Sequence, residues 1–145
     1  MTWKEIEKKI HQQFDAKILK WYQHNDKRIY INIDPSDIVD FSQFIFEKLN
    51  ARFIIASGVD TPRGGVEILY HFDFFQLPQV LSLRVFLKKP ELEIESIAHI
   101  IKGTEWIERE IAELLGVRFK NHPDMRRLLL PDDWPEGNYP LRRDQ

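Results

Sequence analysis

The run from Gly103 to Asp144, GTEWIEREIAELLGVRFKNHPDMRRLLLPDDWPEGNYPLRRD, constrains this chain more than any other segment, because it joins a well-marked helix to a long, proline-broken, densely charged tail. Pro123, Pro131, Pro135 and Pro140 each remove a backbone donor and push the preceding residue toward extended geometry. The stretch after Gly116 therefore cannot continue the helix and is expected to lie extended against something. Segments this long without regular structure are usually either disordered or functional. Phe119, Met125, Leu128, Leu129, Leu130, Trp134, Tyr139 and Leu141 make this one more apolar than a disordered tail.

Upstream, the pattern is that of one mixed domain. Thr2 and Glu5 have capping-box spacing, and Ile6, Ile10 and Phe14 recur every fourth residue, which predicts a first helix to about Phe14. Lys17 to Tyr22 and Arg28 to Ile33 are expected to be strands joined through His24-Asn25-Asp26-Lys27, with Ile29, Ile31 and Ile33 on one buried face. Asp34-Pro35 opens a second helix with the stripe Ile38, Phe41, Phe44, Ile45 and Leu49. Further strands are expected at Arg52 to Ser57, Val66 to Phe75 and Val80 to Lys88, the last alternating Leu81, Leu83, Val85 and Leu87 against polar neighbours. Ser96 to Lys102 reads as a short helix closed by Gly103, and the main helix runs from Thr104 to Leu115. The fold class is α+β: an α-β-β-α-β-β-β-α two-layer sandwich of helices on a mostly antiparallel sheet, with an extended C-terminal tail. The organisation is a core over residues 1–115 and a partner-docking tail over residues 116–145.

The 145 residues suffice for one real core, and 21 basic against 23 acidic side chains leave a net charge of -2. In the tail Arg118, Lys120, Arg126, Arg127, Arg142 and Arg143 face Asp124, Asp132, Asp133, Glu136 and Asp144, a mixture suited to pairing and not to nucleic acid. The absence of cysteine rules out disulfides, thiol catalysis and ordinary iron–sulfur ligation by this chain. No apolar stretch approaches the about 20 residues that cross a bilayer, and the Met1-Thr2-Trp3-Lys4 start lacks a signal-peptide layout, so a cytoplasmic location is expected.

Few constellations invite chemistry. On the main helix Ile107, Ile111, Leu114 and Leu115 share one face, while Glu105, Arg109 and Glu113 fall opposite and read as an exposed ladder. Glu108 and Glu110 flank the apolar face and are the carboxylates best placed for half-burial. Two residues apart, they point away from each other, so structural or interface ion pairs are favoured over an acid/base dyad. His122-Pro123-Asp124 reads as a turn across which His122 hydrogen-bonds, with no second histidine nearby for a metal. Gly58, Gly64 and Gly65 read as a hairpin connection, since no Gly-Lys-Ser/Thr follows. Arg126-Arg127, Asp132-Asp133 and Trp134 have the composition of interface anchors and would be costly to bury unpaired; docking on a partner is favoured over folding back onto this chain.

Glu108, Arg109, Glu110, Glu113, Leu114, Leu115, His122, Arg126, Leu128 and Leu129 stand at the spacings of a family motif. In these residues the chain resembles the 30 kDa subunit of respiratory complex I and its relatives in membrane-bound [NiFe] hydrogenases. Trp106-Ile107, Ala112-Glu113-Leu114-Leu115 and Asn121 differ from the residues usual in NADH-linked enzymes and point to the archaeal hydrogenase-related branch. The resemblance implies a non-catalytic, peripheral-arm subunit on the cytoplasmic face of the cell membrane, reaching the membrane only through partners. It implies a hetero-oligomer in which this chain scaffolds a large catalytic subunit and iron–sulfur subunits for electron transfer coupled to ion translocation. Catalytic, cofactor and metal residues are expected to be none here; iron–sulfur clusters, and Ni-Fe in the hydrogenase case, belong to the partners. The expected partner interface is Glu108, Arg109, Glu110, Glu113, His122, Asp124, Arg126, Arg127, Asp132, Asp133, Trp134, Arg142 and Arg143. The rival is a stand-alone small-molecule enzyme using Glu108, Glu110 and His122.

Overall fold

The computed structural model describes residues 1–145. Its first helix, α1 (Trp3–Phe14), starts where Thr2 Oγ1 accepts the Glu5 amide at 3.3 Å, and it buries Ile6, Ile10 and Phe14. Strands β1 (Ile18–Asn25) and β2 (Arg28–Ile33) form a hairpin in which the Asn25 side chain accepts the Lys27 and Arg28 amides. The second helical segment is less regular than its stripe suggests. A 3-10 turn at Pro35–Asp37, a short α2 (Ile38–Gln43) and a π-type turn at Phe44–Lys48 follow one another. Together they still bury Ile38, Phe41, Ile45 and Leu49.

Strands β3 (Arg52–Asp60), β4 (Gly65–Asp73) and β5 (Val80–Lys88) complete a five-stranded sheet ordered β1-β2-β5-β4-β3. Every pairing is antiparallel except β2 with β5, whose strands run parallel because α2 and the β3–β4 hairpin intervene between them. Period-two alternation points Ile29, Ile31, Leu81, Leu83, Val85, Val66, Ile68, Tyr70 and Phe72 to one side, all fully buried. The helices cover that side alone. Its opposite face carries no helix, so the architecture is a two-layer sandwich with one bare sheet surface.

One expected element does not form. The stretch from Ser96 to Lys102 reads as a short helix closed by Gly103, but it forms one turn, in which the Ile101 amide donates to Ile97 O at 2.8 Å, followed by a 3-10 turn at Lys102–Thr104. The Ser96 hydroxyl and the Ile97 amide donate to the Glu108 carboxylate and the Ala98 amide to Ser96 Oγ, which caps this turn, but a segment this short gains too few backbone bonds to propagate a helix beyond Ile101. A pair of three-residue strands, β6 (Glu93–Glu95) and β7 (Arg118–Lys120), runs in parallel just before this turn and just after the main helix. Helix α3 (Glu105–Leu115) lies between them and packs on β3. It comes so close there that a Cβ on Gly58 would stand 2.6 Å from Leu115 Cδ1. The missing side chain of this glycine is what lets Ile111 and Leu115 settle on the strand.

Candidate functional site: helix α3 and the returning tail

Helix α3 uses two faces. Ile111 and Leu115 are buried against the sheet, as the apolar periodicity predicts. Glu105, Arg109 and Glu113 do not form the exposed ladder expected from the sequence, because the chain after Asn121 turns back and lies along them. Arg109 is 9% exposed. Its Nε and Nη2 donate to the carbonyls of Arg126 and Arg127 at 2.8 and 2.7 Å. One turn on, the Glu113 carboxylate accepts the successive amides of Leu128, Leu129 and Leu130 at 2.9, 2.6 and 3.2 Å. A cation satisfies orphan carbonyls and an anion satisfies orphan amides, so the motif serves as a two-pronged holder for irregular backbone that has no strand to pair with.

Glu108 points the other way, into the core, and its residue is 0% exposed. Oε1 accepts the Ser96 hydroxyl at 2.6 Å and Oε2 the Ile97 amide at 3.0 Å. Burial pushes its carboxyl up to about 7, against the opposing pull of those two hydrogen bonds. Tyr70, wholly buried with an unpartnered hydroxyl, is raised well above its ordinary value by burial and by the neighbouring Glu108. His122 closes the same chamber: Nε2 donates to Glu105 O at 2.9 Å, Nδ1 accepts the Asp124 amide at 3.0 Å, and Glu108 Oε1 lies 3.7 Å away. The reading of His122-Pro123-Asp124 as a turn with a cross-turn hydrogen bond describes this geometry. Glu110 is half-buried.

Beyond Leu130 the chain coils on itself. Arg127 donates to the Pro131 and Trp134 carbonyls at 2.7 and 2.6 Å, and Trp134 Nε1 donates to Asn138 O at 2.7 Å. Arg126 forks onto Asp124 in an exposed pair. Asp132 and Asp133 are exposed, and Trp134 is half-buried. The coil then returns to the helix end: Gly116, at φ 77°, stops α3 in the left-handed conformation, and Tyr139 lies so close that a Cβ there would meet its ring at 2.6 Å. Arg142 Nη1 donates to Leu115 O at 3.2 Å, while its other nitrogens hold Asp144 at 2.8 Å.

The last clasp joins Arg143, expected at the partner interface, to Asp60 and Lys89 of this same chain, which sequence reasoning does not single out. Asp60, at the end of β3, accepts the Arg143 amide at 2.6 Å and pairs with Lys89 at 2.7 Å. Burial would raise the Asp60 carboxyl, but Lys89 and the Arg143 amide outweigh it and hold it below its usual range. Asp60 and Arg143 stand 83 residues apart, and no local pattern announces their meeting. Ser96 and Tyr70 escape notice for the same reason. No group of three or more His, Asp or Glu residues is placed to hold a metal ion. No helix is long and apolar enough to cross a membrane.

A family model described as the respiratory-chain NADH dehydrogenase 30 kDa subunit matches residues 31–145, the span from β2 through the clasp. The chain belongs to this family. Among relatives of the 30 kDa subunit family, it is 45% identical over 119 residues to a subunit of the F(420)H(2) dehydrogenase of Methanosarcina mazei, covering 81% of this chain and 75% of that one. It is 37% identical over 115 residues to a subunit of the NADH-quinone oxidoreductase of Chloroherpeton thalassium, covering 78% of this chain but only 47% of that one. The chain thus spans about half the length of some relatives and three quarters of others. Its fold is that of a chain in the membrane-bound sulfane sulfur reductase, an archaeal respiratory membrane complex, with TM-score 0.85, 23% identity and 97% and 84% coverage of the two chains. It also matches the trypsin-resistant fragment of Nqo5, with TM-score 0.65, 14% identity and 81% and 98% coverage. These relatives carry names of subunits of respiratory oxidoreductases.

Proposed function

We propose that this chain is a non-catalytic, peripheral-arm subunit of a complex-I-like membrane-bound oxidoreductase. It holds a large catalytic subunit beside iron–sulfur subunits on the cytoplasmic face of the membrane, and electron transfer and ion translocation belong to those partners. The observation that carries this reading is the use made of the Glu-Arg-Glu motif. Its buried carboxylate and His122 are 0% and 1% exposed, so no substrate reaches them, while Arg109 and Glu113 are committed to shaping the tail. Such an arrangement presents a preformed surface, with Arg126, Asp132 and Asp133 exposed and Trp134 half-buried behind them, at low ordering cost on binding. A stand-alone enzyme using Glu108, Glu110 and His122 would need Glu108 and His122 open to a substrate, and both side chains are sealed from solvent. The 45% identity to the F(420)H(2) dehydrogenase protein supports a partner set outside the strictly NADH-linked enzymes.

The test is purification of the tagged chain from solubilised membranes. Stoichiometric copurification with iron–sulfur-containing subunits, together with a colourless, metal-free isolated chain, is the expected result. A flavin or iron signal in the isolated chain would overturn the scaffold assignment.

A further inference from the structure

The bare face of the sheet is built for a partner of definite chemistry. Alternation places Lys20 on β1, Arg28 on β2, and Arg84 and Lys88 on β5 on that face, opposite the core. The two acidic side chains there, Glu67 and Asp73, are already paired with Arg63 and Arg52, and none of the four cations forms an ion pair. A chain with a net charge of -2 therefore carries one uncompensated positive face. Two of its cations are held in place by rings beneath them: Arg84 lies 4.9 Å from the Tyr30 centroid and Lys20 lies 5.6 Å from that of Tyr22.

Apolar groups stand among these charges. Ile55, Val59 and Phe86 are exposed on the same face. Between β1 and the β3–β4 turn lies a cleft of about 360 Å³, lined by Leu19, Asn32, Arg84 and Phe86 among others. Asn32 and Arg84 are register partners across β2 and β5, and the Arg84 Nε and the Asn32 side-chain oxygen are buried with no hydrogen-bond partner.

We propose that this helix-free face docks an acidic, apolar-rich polypeptide segment of a partner subunit, with Arg84 and Lys88 facing its carboxylates. This rests on the assignment of the chain as a subunit of a larger complex. Charge complementarity selects the acidic segment. Exposed Ile55, Val59 and Phe86 select polypeptide over phosphate chemistry, because a free phosphate or a phosphodiester offers no apolar group to cover them. Exposed Ile55 and Val59 call for aliphatic or aromatic side chains beside the carboxylates.

The experiment compares acetylation of Lys20 and Lys88 in the isolated chain and in the purified complex, and couples the complex with a zero-length carbodiimide. Protection of both lysines, with at least one joined to an Asp or Glu of another subunit, is the expected result. Copurification with both lysines labelled as fast as in the isolated chain would overturn the docking face and leave the subunit assignment standing. Failure to copurify at all would overturn that assignment and the docking face with it. Protection by phosphatidylglycerol vesicles alone, without a protein cross-link, would make the surface a membrane contact and overturn the proposal. Arg84→Glu with Lys88→Glu should weaken retention in the complex by at least about tenfold. Unchanged retention with unchanged melting would count against the face, and if melting falls the cross-link decides.

Discussion

The Glu108 carboxylate and the His122 ring lie 3.7 Å apart in a sealed chamber, yet the ring spends both nitrogens on backbone, Nε2 on Glu105 O and Nδ1 on the Asp124 amide. The carboxylate therefore has the Ser96 hydroxyl and the Ile97 amide to solvate its charge, and these do not offset its burial.

A pH dependence follows with a definite sign. Between its ordinary 4.5 and its folded value of about 7, the folded chain holds a proton that the unfolded chain has shed. Stability attributable to Glu108 is then highest below about pH 4.5, declines as pH rises to about 7, and stays low above it. Glu108→Gln should abolish this slope and be more stable than the parent at pH 8 by on the order of 1–3 kcal/mol. Urea unfolding of both proteins at pH 5 and pH 8 measures it; an equal difference at the two pH values would contradict the buried ionisation.

Glu113→Ala leaves three consecutive amides without their acceptor. We expect a loss of about 1–2 kcal/mol, modest because these amides are partly exposed, with faster hydrogen exchange at Leu128 to Leu130. Exchange unchanged at those amides would mean that the tail is held by other contacts.

At Gly116 a methyl group meets two obstacles at once, the left-handed backbone at φ 77° and the Tyr139 ring. Gly116→Ala should cost about 1–3 kcal/mol and release the final coil, seen as new tryptic cleavage after Arg142. A native cleavage pattern in a destabilised variant would place the whole effect in the helix end.

Leu83→Ala and Arg127→Ala separate the core from the tail. Leu83 is fully buried in the sheet, so its truncation should cost about 2–5 kcal/mol of global stability. Arg127 holds two carbonyls of the coil, and its loss should loosen the segment around Pro131 to Trp134 while the global melt shifts little. Thermal melts and partner capture on the same preparations distinguish the two. Equal melting losses would merge tail and core into one cooperative unit.

The sequence is legible wherever burial follows a period. Leu81, Leu83, Val85 and Leu87 mark β5 along its whole length, and Ile6, Ile10 and Phe14 mark α1. It misleads where polar groups are assumed to face solvent. Arg109 looks exposed when charge is weighed against water, whereas its neighbours are carbonyl groups from a segment whose position no local pattern reveals. Arg126 and Arg127 look unpaired for the same reason, though Asp124 and two backbone oxygens of this chain engage them. The Ser96 to Lys102 stretch, read as a helix because Gly103 follows it, is too short for local pattern to separate a helix from a single capped turn. Three-residue strands such as β6 and β7 carry too little pattern to find.

The Asp60–Arg143 clasp also bears on the order of folding events. A contact spanning 83 residues closes a long loop, and the docking of α3 on β3 brings its two ends together, so we expect it to form after that step. It belongs late on the folding coordinate. Weakening it should therefore leave the refolding rate nearly as it was and show itself as a faster unfolding limb, making this pair a determinant of how long the native state lasts rather than of how quickly it is reached.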